Sequence, residues 1–124
     1  MRREWRLRDG ADFARVRERG QVWRHPLLVL TVAPAPEGSR STRMGITVSR
    51  RVGSAVVRNR VKRRLREVLR LLYPRIRPGC DLVFVVRPSA VDASYLDLAA
   101  SVHALLLRAS LVSQSGSELQ PVSE

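Results

Sequence analysis

Apolar and polar positions along this chain change period several times, and each change marks an element. Val57, Val61, Leu65, Val68, Leu69 and Leu72 recur on one side of a 3.6-residue period, the pattern of a helix with a single buried stripe. Ser54 stands where a hydroxyl can accept a bond from a free amide of the first turn. Val57 occupies the place of a capping-box acid, so only half of that motif is present. Pro74 disfavours helical geometry at Tyr73 and ends the helix there. An earlier helix is expected from about Ala11 to Arg19, capped by Asp9 or Asp12 and ended by Gly20, with Phe13 and Val16 on one side. A last helix begins at Ser94, with Asp97 as capping-box partner. It runs to about Ser110 with Leu98, Val102, Leu105, Leu106 and Ala109 as its stripe.

Between the helices the period shortens. Leu27–Ala33 is an apolar run that implies cover on both faces or a place near one end of a sheet. Leu28, Leu30 and Val32 share one face, and Leu27, Val29 and Thr31 the other. Pro34–Ser41, PAPEGSRS, has the composition of a loop. From Arg43 to Arg50, Met44, Ile46 and Val48 alternate with Gly45, Thr47 and Ser49. Arg50–Gly53 is a short turn into the long helix. After a turn at Pro78–Gly79, DLVFVVR (Asp81–Arg87) forms a third strand, closed by Pro88.

The order is helix, strand, strand, helix, strand, helix. It describes an α+β sandwich, a small central sheet with helices packed on it. The second and third strands flank the long helix as a βαβ unit, for which the general rule is a right-handed crossover. Residues 1–8 form a basic arm, loose at its tip. Residues 9–112 form one domain. The tail, 113–124, lacks an apolar period and is expected to be disordered.

Charge sharpens this outline. The 124 residues carry 23 Lys and Arg against 11 Asp and Glu, a formal net charge of +12. Self-repulsion on that scale is relieved by a polyanion, and release of condensed counterions drives such binding. Lys62 is the only lysine. Arginine forks grip phosphates bidentately and stack on bases, which favours structured nucleic acid over an anionic membrane surface. The charge is concentrated on the long helix and its approach: Arg50, Arg51, Arg58, Arg60, Lys62, Arg63, Arg64 and Arg66, with no acid between Arg50 and Arg66. Asn59, Lys62, Arg63, Arg66 and Arg70 fall opposite the apolar stripe. Glu67 is placed to pair with Arg63 at i, i+4.

Other chemistry is sparse. Cys80 is the only cysteine, which excludes an internal disulfide and a cysteine-based zinc site and suits a buried thiol. No apolar run is long enough for a membrane span. The basic start lacks the apolar core of a signal peptide, so a cytoplasmic protein is expected. Asp9, Asp12, Asp81, Asp92 and Asp97 are scattered, most with capping or turn explanations. His25 and His103 lie on different elements. No phosphate loop or dinucleotide fingerprint is present. The chain therefore binds RNA or DNA, with no catalytic residue and no metal site of its own.

Three stretches carry a resemblance. ITVSRRVGSAVVRNRVKRRLRE resembles the signature of the bacterial ribonuclease P protein component, centred on Arg58-Asn59-Arg60. RLRDGADFARVRERG resembles that family's first helix, and DLVFVVRPSA its strand before the last helix. The likeness covers about residues 6 to 111. It implies a subunit of a ribonucleoprotein endonuclease that removes the 5′ leader from precursor tRNA. The catalytic RNA would carry the chemistry with Mg²⁺, bound mainly by that RNA and the substrate. The partners implied are the catalytic RNA and precursor tRNA, with no DNA and no membrane. The resemblance also implies a left-handed crossover around the basic helix, against the general rule, in a fold shared with the second domain of a small-subunit ribosomal protein.

The site residues it implies for RNA are Arg51, Arg58, Asn59, Arg60, Lys62, Arg63 and Arg66, to which the charge pattern adds Arg50 and Arg70. For the leader, in a cleft between the first helix and the sheet, they are Phe13, Arg17, Leu28 and Leu30. Arg17 and Leu30 stand where relatives often carry aromatics, which weakens base stacking. Two rival readings are a ribosomal or assembly RNA-binding protein and a DNA-binding regulator. The second lacks a helix at helix-turn-helix spacing.

Overall fold

In a computed structural model, residues 3–37, 39 and 41–113 are described. Seven main elements follow in order: α1 (Gly10–Arg19), β1 (Gln21–Arg24), β2 (Leu28–Pro34), β3 (Arg43–Val48), α2 (Ala55–Leu72), β4 (Cys80–Val86) and α3 (Tyr95–Arg108). The sheet order is β1-β2-β4-β3. β2 pairs antiparallel with β1 and with β4. β3 pairs parallel with β4, and α2 joins the two.

Register sorts the side chains. Leu30 lies opposite Phe84, and Ile46 lies opposite Phe84 from the other side. Leu28, Leu30, Met44, Leu82, Phe84 and Val86 therefore share one face. They pack with Val61, Leu65, Val68 and Leu69 of α2 and Leu98, Val102, Leu105 and Leu106 of α3 in the main core. The other face carries Ala33 and Val83, which pack with Leu7 and Val16 in a much smaller cluster rimmed by Phe13 and Val85. The apolar alternation in β3 and the stripes of α2 and α3 thus have the expected faces.

The cap of α3 is the reciprocal box expected from Ser94 and Asp97. α1 differs: Asp9 holds the cap position, but its side chain makes no cap bond. Gly20 ends α1 for a steric reason rather than a dihedral one. A Cβ there would come within 2.4 Å of the Val16 carbonyl oxygen and 2.6 Å of the Thr31 methyl.

One strand departs from the expected order. β1 was absent from the sequence pattern. It has only four residues, three of them exposed, so no alternation marks it. The basic arm, expected to be loose at its tip, is held down over its described length. Trp5 stacks on Tyr73, with ring centroids 3.6 Å apart and planes 12° apart. Arg6 bridges to Met44, and Leu7 donates its N–H to the Met44 carbonyl at 2.9 Å. Leu7 is buried, and that apolar anchor fastens the segment against the outer edge of β3. The tip, Met1 and Arg2, and the tail after Ser113 lie outside the described residues.

Candidate nucleic-acid interface

α2 is anchored before it is charged. The Ser54 hydroxyl accepts a bond from the Val57 N–H at 3.3 Å. In the short turn Arg50–Val52 that leads into it, Val52 is buried while Arg50 and Arg51 are exposed. Gly53 then adopts φ +153°, where a side chain would be strained and would also meet Val57 at 3.0 Å. The apolar stripe locks the helix rotation, so the opposite face is fixed as well.

On that face Asn59, Arg60, Arg63 and Arg66 are exposed and Lys62 is half-buried. Among the described residues none of these five has a hydrogen-bonding or ionic side-chain partner. Val56, Asn59, Arg60 and Arg63 line one shallow depression. Two flanking arginines do bracing work: Arg58 Nε donates to the Gly53 carbonyl at 3.2 Å, and Arg64 Nη1 to the Ala93 carbonyl at 3.1 Å.

The expected Arg63–Glu67 pair does not form. Glu67 pairs instead with Arg70, whose Nη2 lies 2.5 Å and Nε 3.3 Å from its carboxylate oxygens. The hydrogen bond from Arg70 holds the Glu67 carboxyl below its ordinary pKa. A fork reaching back one turn makes two bonds here, and Arg63 is left uncompensated.

A second groove links α2 to the opposite side of the sheet. Around the outer edge of β3, Lys62 and Arg66 meet Arg6, Leu7, Phe13, Met44, Gly45 and Ile46 in a space of about 100 Å³. Phe13 can sit there because Gly45 has no side chain: a Cβ would lie 2.5 Å from the ring. Arg17 is exposed farther along α1. Of the residues expected at the leader, Phe13 is therefore brought beside the cationic helix.

Leu28 and Leu30 are not in this region, which corrects the expectation for both. Each is 0% exposed and packed beneath α2 and α3, on the sheet face away from α1. The alternation of β2 was read with the right parity but assigned to the wrong face. The β2 side chains on the α1 side are Val29, Thr31 and Ala33. Beside them on the same face, Val85 is half-buried and Thr47 exposed.

The scattered carboxylates also need revision. Asp81, wholly buried, accepts from Arg43 Nη2 at 2.8 Å and Nε at 3.2 Å, and from Arg15. Arg43 reaches Asp12 as well, at 3.3 and 3.4 Å, and Arg15 Nη1 donates to the Pro34 carbonyl at 2.9 Å. The Asp81 hydrogen bond raises the pKa of Arg43 further above its already high value. Residues separated by up to 69 positions in sequence, from Asp12 to Asp81, thus meet at one corner, and no short-range pattern announced it.

The other titratable candidates have local explanations. Nδ1 of His25 accepts from the Leu27 N–H at 3.1 Å within the β1–β2 turn. Cys80 is half-buried, and burial pushes its thiol pKa up.

A dense cationic flank on a rigidly seated helix, continuous with an aromatic on the next face, describes an α+β domain suited to holding a polyanion. The comparisons with known proteins make this specific. The chain belongs to the ribonuclease P protein family: the family model described as Ribonuclease P matches residues 1–110. It is 48% identical over 126 residues to the ribonuclease P protein component of Chloroflexus aurantiacus, covering 100% of this chain and 92% of that one. It is 49% identical over 111 residues to that of Herpetosiphon aurantiacus, covering 90% and 89%. The solved structure of the Staphylococcus aureus RNase P protein superimposes with a TM-score of 0.79 at 28% identity, covering 88% of this chain and 98% of that one. The match from residue 1 takes in the N-terminal segment that the sequence reading left outside the likeness.

Proposed function

We propose that this chain is the protein subunit of a ribonuclease P ribonucleoprotein, which removes the 5′ leader from precursor tRNA. It binds a catalytic RNA through α2, and the RNA carries the bond cleavage. The observation that supports this most directly is the outward face of α2, where Arg60, Lys62, Arg63 and Arg66 stand without anionic partners among the described residues. Folded RNA supplies closely spaced phosphates, and guanidinium forks engage them bidentately. Arg50 and Arg51 extend the same cationic surface toward the start of the helix, and Asn59 offers a donor and an acceptor within it.

The leader would run from this flank around the β3 edge, past Phe13 and Arg17, onto the sheet face that carries Val29 and Thr31. With one aromatic on α1, stacking is confined to Phe13, and Arg17 would meet a leader phosphate or stack through its guanidinium. Mg²⁺ would be held by the RNA and the substrate. Among the described residues no three His, Cys, Asp or Glu side chains cluster, and the neighbouring Asp12 and Asp81 are engaged by arginines. Those carboxylates do not fit a divalent cation. Action on tRNA precursors inside a bacterial cell makes the cytoplasm the expected compartment, and among the described residues no helix is long and apolar enough to cross a membrane.

Reconstitution tests the reading. The purified protein alone should leave a precursor tRNA intact, and adding the cognate catalytic RNA should give leader removal at low Mg²⁺. Correct cleavage by the protein alone would overturn the assignment of chemistry to RNA. In the same system, Arg63→Ala should flatten the dependence of log affinity on log salt by about 0.7–0.9, one phosphate contact. An unchanged slope would remove Arg63 from the interface.

A further inference from the structure

α1 is held to the sheet by very little apolar surface. Four buried side chains, Leu7, Val16, Ala33 and Val83, make up the cluster beneath it, and the helix gives it Val16 and, at its rim, the partly buried Phe13. Apolar contact is non-directional, so a patch this small fixes neither the rotation nor the slide of a ten-residue helix. Directional bonds do. Arg15, on α1, donates both to Asp81 at the start of β4 and to the Pro34 carbonyl at the end of β2. Asp12, on α1, receives Arg43 from the start of β3. Asp81 is completely buried, and removing one partner of a buried charge is far more disruptive than removing an exposed pair. The sheet therefore holds α1 from three strands through one ionic clamp. Phe13 lies between the two clamped residues of α1, directly over Gly45.

We infer that the Asp12–Arg15–Arg43–Asp81 clamp positions α1, and with it Phe13 and Arg17, for the precursor leader. Asp81 and Arg15 are thus positioning residues for substrate recognition that touch no RNA. The inference rests on the proposed leader path. Its action is geometric: Arg15 sets where Phe13 stands above β3, and so the width of the space between α1 and the uncovered sheet face.

Arg15→Gln is the informative change. It removes the bonds from α1 to Asp81 and to the Pro34 carbonyl, while Arg43 still holds both Asp81 and Asp12, so the buried carboxylate keeps a cationic partner and the protein folds. Asp81→Asn removes the common acceptor, and its thermal unfolding is followed alongside. Each variant is assembled with the cognate catalytic RNA and measured against a precursor tRNA and against mature tRNA. The expected result for Arg15→Gln is a three- to tenfold weaker binding of precursor, roughly the partial loss of one base-stacking contact at Phe13. Mature tRNA binding, maximal rate and the salt dependence of assembly with the catalytic RNA should stay as they were. Equal losses for both tRNAs, or none in a folded Arg15→Gln protein, would overturn the inference. Phe13→Ala, run in parallel, separates the two levels. If Phe13→Ala loses precursor preference while Arg15→Gln keeps it, the clamp is structural only. If neither loses it, the leader path itself is wrong and the inference falls with it.

Discussion

Against α2 and α3 the sheet buries Leu28, Leu30, Met44, Leu82, Phe84 and Val86, each almost wholly removed from water, whereas under α1 its own contribution is Ala33 and Val83. The first face is a continuous apolar core and supplies nearly all the hydrophobic stabilisation, which scales with apolar area removed from water. The second is held by a few small side chains, a buried carboxylate and two glycines that permit close approach. Because the first face carries the fold, the second can be left partly uncovered, shallow and polar. A binding surface needs those properties, and a stability core cannot have them.

Truncation should reveal that asymmetry as the largest effect. Leu65→Ala opens a cavity where α2 meets the sheet and should cost about 2–5 kcal/mol, read from the urea midpoint. Leu7→Ala removes the same atoms on the other side, where the N-terminal segment can settle, and should fall near or below the bottom of that range. Equal losses would mean that the two faces share the work of holding the fold.

Gly45→Ala should come next. Its new methyl group would meet the Phe13 ring at 2.5 Å and force it away from β3. Overpacking of this kind costs about 1–3 kcal/mol. The double variant Phe13→Ala/Gly45→Ala should recover much of that loss, since the clash has one named partner. Additive losses would place the strain somewhere other than beneath Phe13.

The thick face was legible in the sequence and the thin one was not, for a physical reason. Periodic burial writes itself into the chain. The stripe Val61, Leu65, Val68, Leu69 and the alternation Met44, Ile46, Val48 could be read directly, as could the Ser54 and Ser94 caps, whose partners lie three residues away. Seating of α1 depends on Arg15, Arg43 and Asp81, which meet only after β3 and β4 have paired. β1 was invisible because most of its residues face water. The leader-side strand positions failed differently. Parity along β2 was clear, but which parity faces α1 depends on where α2 and α3 pack. Leu28 and Leu30 were therefore assigned to a surface they never reach. The cationic flank was legible because α2 carries both its anchor and its charge.

Glu67 gives the smallest effect and the finest division of that flank. It is the acid that meets the basic face, and it occupies Arg70 rather than Arg63. Both partners are about half exposed, so the pair adds little to stability at neutral pH. Its carboxyl is held below the ordinary value by the Arg70 hydrogen bond. Whatever stabilisation it gives is therefore present above the unfolded-state pKa and disappears as pH falls through the lower folded one, in the acid range. Glu67→Gln should remove that small contribution at neutral pH, lowering the urea midpoint slightly at most, abolish its loss on acidification, and free Arg70. If Arg70 then reaches a phosphate of the catalytic RNA, log affinity should depend more steeply on log salt, by about 0.7–0.9. That steeper slope is the expected outcome, because Arg70 follows Arg63 and Arg66 on the same side of α2. An unchanged slope would end the RNA-facing surface at Arg66 and make Glu67 its boundary.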